Sequence, residues 1–477
     1  MVSKPLSFEV KAEIAPAFFD EMLKFISRNY LLKNREQFKD VDLAVGGDNQ
    51  LSFTALDSRG EPALDVKIVA KETIRVDVVP LVEELSEEFV DQLRNEILLG
   101  IQLFEEKVRK TTLYFAWLEG EEVKPERVME NKKSILGKIF SSGMYVFFII
   151  SIAVSIFLFL LFGFYAVVII IVLQFVIFLF SDKLIAKAGD WQATSKNPNV
   201  HLFQYHLPVE DYQNIKQRFS DKEFAAMKSE IYKRTLAAGE PLNCGVVQEV
   251  FSKYGIRCNP ENMLTKKVNV YQIVKKVSEK FGVPVPKIIL ANTIVPNAAA
   301  SGPSPSRGVT LITTGLLVQL EEDEILNVVA HEFSHLKNRD PLVLLGLTSA
   351  EYLLRIYLFI SLFASFFWFG YVYLFVSITS LYFIAKFFEG RADLDTAVKI
   401  GQPKVLAEAL EKIGFRRLQF QEVSAYKIQS WIRWDPHPPV YFRIHRLATL
   451  EKPEEIKHTL IQSIKDNLHA FADAIRT

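Results

Sequence analysis

Cysteine is scarce in this sequence: Cys244 and Cys258 are the two cysteines in a chain of 477 residues. Two cysteines do not make a disulfide framework, and a metal site at these positions would need further ligands that the neighbouring sequence lacks. We therefore expect two ordinary thiols in a reducing compartment.

Net charge is also lacking, since 56 lysine and arginine residues balance 56 aspartate and glutamate residues. Without an excess of positive charge there is no electrostatic argument for binding nucleic acid. The beginning of the chain lacks an apolar segment, because residues 1–10 are polar and alternating. We therefore expect no cleavable signal peptide.

Charged residues are absent from one long stretch and rare in a second, and these two stretches hold much of the excess of hydrophobic residues. Residues 139–181 contain no charged side chain, and a single membrane crossing needs only about 20 residues. Gly163 lies near the middle of this stretch. The second stretch, 342–386, holds Glu351 and Arg355 before its terminal lysine, at a spacing that lets them pair on one helix face. We predict four transmembrane helices, one hairpin from each stretch.

The other segments have the mixed polarity of soluble structure. Residues 1–120 combine strand-like runs with two helical patterns, which predicts an N-terminal α+β domain of undefined role. Residues 121–138 are a charged linker, and 182–265 are predicted as a polar helical connector. The last two segments, 266–341 and 387–477, are predicted as the two parts of a catalytic domain. The fold class is therefore α+β and mostly helical.

The first part of the catalytic domain has a regular alternation of elements. An amphipathic helix is expected over 268–281, and short apolar strands over 287–291 and 309–313. The acidic run 321–324 precedes the next helical pattern, where negative charge suits the N-terminus of a helix. This helix is expected to end near Pro341.

That helix carries His331 and His335 with Glu332 between them, in the pattern H-E-x-x-H. Histidines four residues apart lie on one face of a helix, at the fixed separation that suits zinc. Glu332 would point to the position of a water molecule whose proton it can take. The five residues alone also arise by chance on solvated helix faces, so the context has to decide.

The context is the segment 388–393, with the sequence FEGRAD, which directly follows the second hairpin. Catalytic zinc usually takes three protein ligands, and Glu389 would be the third. It can reach the histidines only if an even number of crossings separates them, and the hairpin provides two. Asp393, one helical turn further, would accept the second N–H of a ligating histidine. Pairing with Arg391 or another base on the helix surface is the alternative for Asp393.

Basic residues mark one end of the four predicted membrane helices. The turns at the other end, around Gly163 and within 365–370, contain neither lysine nor arginine. By the positive-inside rule, the catalytic side and the N-terminal domain face the cytoplasm. The basic residues concerned are Lys132, Lys133, Lys138, Lys183, Lys187, Lys337, Arg339, Lys386 and Arg391.

Other metal sites have less support in the sequence. His201 and His206 share a strand-like run, but no third ligand stands nearby, so they are expected to be ordinary histidines. A metzincin would need a third histidine six residues after His335. Position 341 is proline, which excludes that class.

With these elements in place, the chain resembles the HtpX-like integral-membrane zinc metallopeptidases, relatives of the CaaX prenyl endopeptidases. The resemblance covers about residues 135–450, and residues 1–120 depart from the compact pattern of the family. The matching motifs are Asn297–Gly302, the helix with His331, Glu332 and His335, the membrane hairpin, Glu389 with Asp393, and His437-Pro438-Pro439 followed by Arg443-Ile444.

The resemblance implies a gluzincin fold with one Zn²⁺ ion per chain. It implies that His331, His335 and Glu389 bind the metal and that Glu332 acts as general base and general acid. It further implies that an extended substrate pairs as a strand with the segment containing Asn297, Ala298, Ala299 and Ala300.

His437 and Arg443 match the downstream motif of the family. The match implies that they contact the substrate or stabilise an oxyanion. A role in structuring the loop is the alternative for His437, and a structural ion pair is the alternative for Arg443.

The predicted function is that of a membrane-embedded zinc endopeptidase acting on polypeptides, in particular membrane proteins in quality control, at the cytoplasmic membrane surface. A CaaX-type prenyl-protein endopeptidase is one alternative, although four spans argue against the larger chamber of those relatives. A non-catalytic membrane scaffold is another, against which Glu332 and the complete ligand set argue. A metal transporter would need more polar residues along the spans than Glu351 and Arg355 provide.

Overall fold

The computed structural model describes residues 5–10, 12–44, 49–57, 59–71, 73–82, 87–121, 144–357, 367–421 and 424–476. The chain divides into two compact units. Unit 1 comprises Met1–Trp117, Val123–Pro125 and His201–Lys266, and unit 2 comprises Leu118–Glu122, Glu126–Val200 and Lys267–Thr477. Except for Glu121, the predicted linker lies outside the described residues.

Both units contain strands and helices. The strands are β1 Leu6–Val10, β2 Phe38–Ala44, β3 Gln50–Leu56, β4 Pro62–Ala70, β5 Ile74–Pro80, β6 Thr112–Leu118, β7 Trp191–Ala193, β8 Asn199–His206, β9 Met263–Asn269, β10 Lys287–Ala291, β11 Ala298–Ser301 and β12 Val309–Thr313. The helices are α1 Phe19–Ile26, α2 Glu87–Arg109, α3 Met144–Phe162, α4 Tyr165–Leu179, α5 Ser181–Ala188, α6 Val209–Arg218, α7 Asp221–Arg234, α8 Cys244–Ser252, α9 Val270–Phe281, α10 Thr314–Gln319, α11 Glu322–Asn338, α12 Asp340–Tyr357, α13 Phe367–Ile400, α14 Pro403–Gln421, α15 Ser424–Ile432, α16 Val440–Ala448 and α17 Thr459–Arg476.

Unit 1 contains an antiparallel sheet with the strand order β1-β5-β4-β3-β2. Along β4 the side chains alternate, so that Val66 and Ile68 are buried while Asp65 and Lys67 are exposed. This is the pattern of a sheet with one covered face. The covering residues come from α1 and α2, which share one hydrophobic cluster with the sheet.

A second hydrophobic cluster of unit 1 contains aromatic residues of β6 and β8 and apolar residues of α7 and α8. Trp117 and Phe203 are among its buried members, together with Ile231 and Phe251. Residues 201–266 therefore pack with the N-terminal residues of unit 1 rather than forming the separate connector expected over 182–265. The difference arises because β8 joins β6 and β9 in a three-stranded sheet.

The two cysteines form a disulfide between Cys244, at the start of α8, and Cys258. The prediction of two free thiols is therefore wrong. The chain turns back after α8, so that the two Cα atoms lie 5.6 Å apart, which is within the range that a disulfide requires. The disulfide closes a short loop inside unit 1.

His206, at the end of β8, is a buried neutral histidine. Its side chain is 1% exposed, and its Nδ1 accepts a hydrogen bond from the Ala15 backbone N–H at 3.2 Å. Burial lowers the pKa of His206 to about 4. A buried histidine with a backbone hydrogen-bond partner is one of the ordinary roles that the sequence analysis expected.

The buried state of His206 makes the stability of unit 1 depend on pH. The unfolded chain binds a proton at this histidine below about pH 6.5, whereas the folded chain does so only near pH 4. The contribution of neutral His206 to the free energy of unfolding is therefore fully present above pH 6.5. It is lost as the pH falls toward 4, by up to about 3 kcal/mol. The measurement is urea unfolding between pH 6.5 and 4, with hydrogen exchange of peptides from β8 as the probe.

The matched control is His206→Asn, which keeps an acceptor near Ala15 but does not titrate. It should lose less stability than the wild type between pH 6.5 and 4, because the remaining loss comes from other groups. Equal losses in the two proteins would show that His206 is not the titrating group.

Unit 2 contains a four-stranded sheet with the order β11-β12-β10-β7. Strands β10 and β12 are parallel, and both have the predicted bounds. The short strand β11 pairs antiparallel with β12 and lies at the edge of the sheet. Helix α11 contacts β11, α9 and α13. It therefore lies between the edge strand β11 and the long helix α13.

The apolar helices agree in part with the predicted hairpins. Helices α3 and α4 meet at Gly163, which has a φ of +55°, and they contact each other. Among the described residues, Gly370–Ile400 is long and apolar enough to cross a membrane, and Tyr165–Leu179 with Ser181–Lys187 passes the same test as a pair bent by 59°. Helix Ala153–Phe162 is apolar but shorter. Four crossings therefore remain a prediction.

The predicted third span, the first half of 342–386, is described only in part, because residues 358–366 lie outside the described ranges. Within its described part, the predicted pairing of Glu351 and Arg355 is confirmed. Arg355 Nη2 donates to Glu351 Oε2 at 3.2 Å, and Ser377 Oγ of α13 donates to Glu351 Oε1 at 3.2 Å. The ion pair thus contributes to the packing of α12 on α13.

Candidate metal centre

Helix α11 fixes the two histidines. At its N-terminus Glu321 and Glu324 form a capping box, which satisfies backbone N–H groups that have no partner within the helix. The helix ends at Arg339, whose φ is +57°. Between these ends His331 and His335 lie one turn apart, with their Nε2 atoms separated by 3.2 Å.

Helix α13 brings Glu389 to the same point. Its Oε2 lies 3.3 Å from Nε2 of His331, and its Oε1 lies 3.3 Å from Nε2 of His335. The three candidate ligand atoms all lie within 4.8 Å of one another. The structure therefore brings together the three residues that the sequence predicted as metal ligands.

Two aspartates hold the other nitrogens of the imidazole rings. Nδ1 of His331 lies 3.0 Å from Asp393 Oδ1. Nδ1 of His335 lies 2.8 Å from Asp340 Oδ2. An ionised carboxylate only accepts hydrogen bonds, so Nδ1 of His335 carries the proton in its contact with Asp340. Nδ1 of His331 lies close to Asp393 without the alignment of a hydrogen bond. Asp393 has the position that the sequence predicted for it, whereas Asp340 was not predicted.

This arrangement leaves three electron-rich atoms facing one another. With Nδ1 of His335 protonated, its neutral ring directs the Nε2 lone pair toward Nε2 of His331 and the Glu389 carboxylate. Glu389 Oε2 is buried and has no hydrogen-bond donor among the described residues. Two imidazole nitrogens and a carboxylate oxygen are a donor set that zinc prefers, so the residues present fit the metal that the resemblance implies.

The pKa shifts of these residues also show that positive charge is favoured at this point. Burial by itself would lower the pKa of both histidines. Asp393 and Glu389 instead raise the pKa of His331, and Glu389 and Asp340 raise the pKa of His335. Burial would likewise raise the pKa of Glu389, yet His437 and His335 bring it well below its usual range. A cation at this point would satisfy the carboxylate without protonating the histidines.

Asp393 is also the centre of an ion-pair network. It is fully buried, and it accepts hydrogen bonds from Arg443 Nε at 2.9 Å, Arg443 Nη2 at 2.7 Å and Arg446 Nη2 at 3.1 Å. Arg391 pairs with Asp340 instead. Asp393 therefore pairs with other bases, as the alternative allowed, but it is buried and does not lie on the helix surface. Arg443 thus makes the structural ion pair considered for it, while its Nη1 lies 3.7 Å from Glu389 Oε2.

Glu332 projects from α11 toward the edge strand. Its Oε2 accepts a hydrogen bond from the backbone N–H of Ala300 at 3.1 Å. In an antiparallel strand the N–H and C=O groups of one residue point to the same edge, so the free edge of β11 faces Glu332. The predicted substrate segment, Asn297 with Ala298–Ala300, therefore borders the candidate general base.

His437 enters the centre from the loop between α15 and α16. Its Nε2 lies 3.7 Å from Glu389 Oε1. Its backbone N–H and its Nδ1 both lie 3.0 Å from Asp435 Oδ1. The side chain is 43% exposed, so it can contact a molecule that enters the centre.

Gly390 allows α17 to pack directly beside the Glu389 position. A Cβ atom at residue 390 would collide with Ser463 Oγ and lie 2.7 Å from Asn467 Nδ2 and 3.0 Å from Arg446 Nη1. Gly390→Ala should therefore displace α13 relative to α17. We expect a loss of about 1–3 kcal/mol in the free energy of unfolding and weaker zinc binding, measured by thermal unfolding and by zinc titration.

Gly346→Ala is the matched control, since Gly346 is also inside a helix. In the described structure nothing lies within 4 Å of a Cβ placed there, so this substitution should be neutral or slightly stabilising. Similar destabilisation by both substitutions would show that the close packing at Gly390 is unimportant.

The site contains functional contacts that the sequence analysis missed. Asp340 is five residues after His335, and their contact depends on the left-handed turn at Arg339. Arg446 and Asp435 reach the centre from separate segments. The contact of Asp340 had a usable signal, because this aspartate follows His335 by five residues and directly precedes Pro341. The partners of Arg446 cannot be predicted from local spacing.

Comparison with known proteins agrees with the predicted resemblance. Residues 265–451 match the sequence model of Peptidase family M48. The Protease HtpX homolog of Pyrococcus furiosus is 46% identical over 74 residues, which cover 16% of this chain and 26% of that protein. Protease HtpX of Legionella pneumophila is 43% identical over 74 residues, with the same coverage.

Among solved structures, the crystal structure of S. mikatae Ste24p is similar at 19% sequence identity and a TM-score of 0.28, covering 37% of this chain and 49% of that one. The chain spans about a quarter of the length of the curated relatives it matches. The resemblance to HtpX-like membrane metallopeptidases is confirmed, and its matched part contains the whole metal centre.

Proposed function

We propose that this chain is a membrane-bound zinc endopeptidase that hydrolyses peptide bonds in polypeptides at the cytoplasmic membrane surface. The observation that carries the proposal is the convergence of His331, His335 and Glu389 next to Glu332. The match to Peptidase family M48 covers all four residues and supports a protease.

A bound zinc ion would polarise a substrate carbonyl and lower the pKa of a water molecule at the centre. Glu332, one residue after His331 and beside β11, takes the proton from that water as it attacks the carbonyl. Glu332 then gives the proton to the amine that leaves. Arg443 and His437 lie on the Glu389 side of the centre. There the Arg443 guanidinium can stabilise negative charge on the carbonyl oxygen, and Nε2 of His437 can contact the substrate.

The free edge of β11 supports binding of an extended substrate. A peptide that adds as a strand there would pair with backbone groups of Ala298 and Ala300, and the small side chains allow close approach. Because the Ala300 N–H already contacts Glu332, a substrate paired at this edge would carry its peptide bond close to the general base. The position of the edge thus couples binding to the chemistry.

The substrates that we propose are membrane proteins handled in quality control. Glu389 follows the apolar part of α13 by only a few residues, and α12 begins directly after α11. If the predicted hairpins span the membrane, the centre lies at the membrane surface. By the positive-inside rule, the basic residues at that end favour a cytoplasmic position for the centre.

The experiment that tests the proposal is proteolysis by the full-length protein reconstituted in vesicles. A misfolded membrane protein and a farnesylated CaaX peptide are offered separately, before and after removal of metal with a chelator. Cleavage of the membrane protein that stops on chelation and returns with zinc supports the proposal. Cleavage confined to the prenylated peptide favours the CaaX alternative, and zinc binding without any cleavage favours the scaffold.

A further inference from the structure

Lys386 is a buried cation next to the metal centre that has no role in the mechanism above. It is in α13, three residues before Glu389, so both side chains project from the same side of the helix. Its residue surface is 0% exposed. Burial of an ammonium group is strongly unfavourable unless its donors are satisfied, so the partners of Lys386 indicate what it does.

The partners of Lys386 are backbone carbonyl groups of the loop that carries His437. Nζ donates to the carbonyl oxygen of Asp435 at 2.6 Å and to that of Arg433 at 3.1 Å. Trp434, between these two residues, donates from Nε1 to Thr379 Oγ1 of α13 at 3.2 Å. Three consecutive residues of the loop are therefore fixed to the helix that supplies Glu389.

The next link runs from Asp435 to His437. Oδ1 of Asp435 accepts from the backbone N–H and from Nδ1 of His437, each at 3.0 Å. With Nδ1 held there, the ring turns Nε2 toward Glu389 Oε1, 3.7 Å away. The carbonyl of Asp435 binds Lys386 while its carboxylate binds His437, so one residue joins the buried cation to the imidazole.

We propose that Lys386 and Asp435 are positioning residues that hold His437 over the metal centre. A hydrophobic side chain could fill the space of Lys386 without burying a charge, whereas only a donor can hold two carbonyl groups of the loop. The inference rests on the proposed function, because it concerns the residue that would contact the substrate. It adds that the orientation of His437 is set from α13.

The test is a double-mutant cycle between Lys386 and His437. The full-length protein is made as Lys386→Met, as His437→Ala and as the combination, and kcat and KM are measured on a peptide substrate. We expect Lys386→Met to lower kcat by about 10-fold or more at unchanged zinc stoichiometry. In the His437→Ala background the same substitution should have almost no further effect.

Asp435→Ala provides a second variant in case the loss of Lys386 impairs folding. The Asp435 side chain is partly exposed, and its removal should lower kcat in the same way, again only when His437 is present. Lys399→Met is the matched control, since Lys399 is an exposed lysine of the same helix. Losses of kcat that add to that of His437→Ala would overturn the proposal, as would wild-type kcat in both positioning variants.

Hydrogen exchange of the metal-free protein gives a readout that does not depend on activity. Peptides covering residues 433–437 should exchange faster in Lys386→Met than in the wild type or in Lys399→Met. Unchanged exchange would overturn the anchoring of the loop. Absence of peptide cleavage by the zinc-loaded wild type would instead refute the proposed function, and the exchange result would still decide the anchoring.

Discussion

Replacement of Glu332 by glutamine is expected to abolish proteolysis while zinc remains bound. Glutamine keeps the shape of the side chain and an oxygen that can accept the Ala300 N–H hydrogen bond, but it cannot take a proton from water. Loss of a general base typically lowers kcat by about 10²–10⁴-fold. The measurement is cleavage of a membrane-protein substrate in vesicles, with the zinc content determined on the same sample.

Glu322→Gln is the matched control, because Glu322 is an exposed carboxylate at the start of the same helix. It should cleave at the wild-type rate. Proteolysis at the wild-type rate by Glu332→Gln would mean that another group takes the proton, and loss of zinc from this variant would mean that Glu332 holds the metal site together. The comparison thus separates a role in proton transfer from a role in structure.

The three candidate metal ligands could be predicted from the sequence, and the signal for two of them is local. His331 and His335 need only the helical repeat, and α11 was recognisable from its acidic start and its apolar face. Glu389 needed one further step, the argument that two crossings return the chain to the same side. The strands β10 and β12 were also predictable, since each is a short apolar run between loop residues.

The contacts that complete the centre could not be predicted, because they join residues that are distant in sequence. Arg443 and Asp393 are separated by 50 residues and meet only when α16 packs against α13. The disulfide was missed for a similar reason, since cysteine spacing does not show that the chain turns back after α8. Pairing of β8 with β6 and β9 likewise depends on segments far apart in the chain.

Removal of the carboxylate in Asp393→Ala is expected to have the largest effect on stability of any substitution in the centre. Burial would raise the pKa of Asp393, but Arg443 lowers it below its usual range, so the residue is ionised in the folded protein. Without it the buried Arg443 and the mostly buried Arg446 both lose a principal partner. Breaking a buried ion pair in this way costs about 3–5 kcal/mol.

The same substitution should weaken zinc binding by about 10–100-fold, because Asp393 Oδ1 also lies 3.0 Å from Nδ1 of His331. Urea unfolding and competitive zinc titration measure the two effects separately. Asp466→Ala is the matched control, since Asp466 pairs with Arg446 at 3.8 Å near the surface and should cost less than about 1 kcal/mol. Equal losses from the two substitutions would contradict a central role of Asp393. If Asp393→Ala lost much stability but kept its zinc affinity, Asp393 would serve packing alone. Weaker zinc binding is expected only if the contact between Asp393 and His331 orients that ligand.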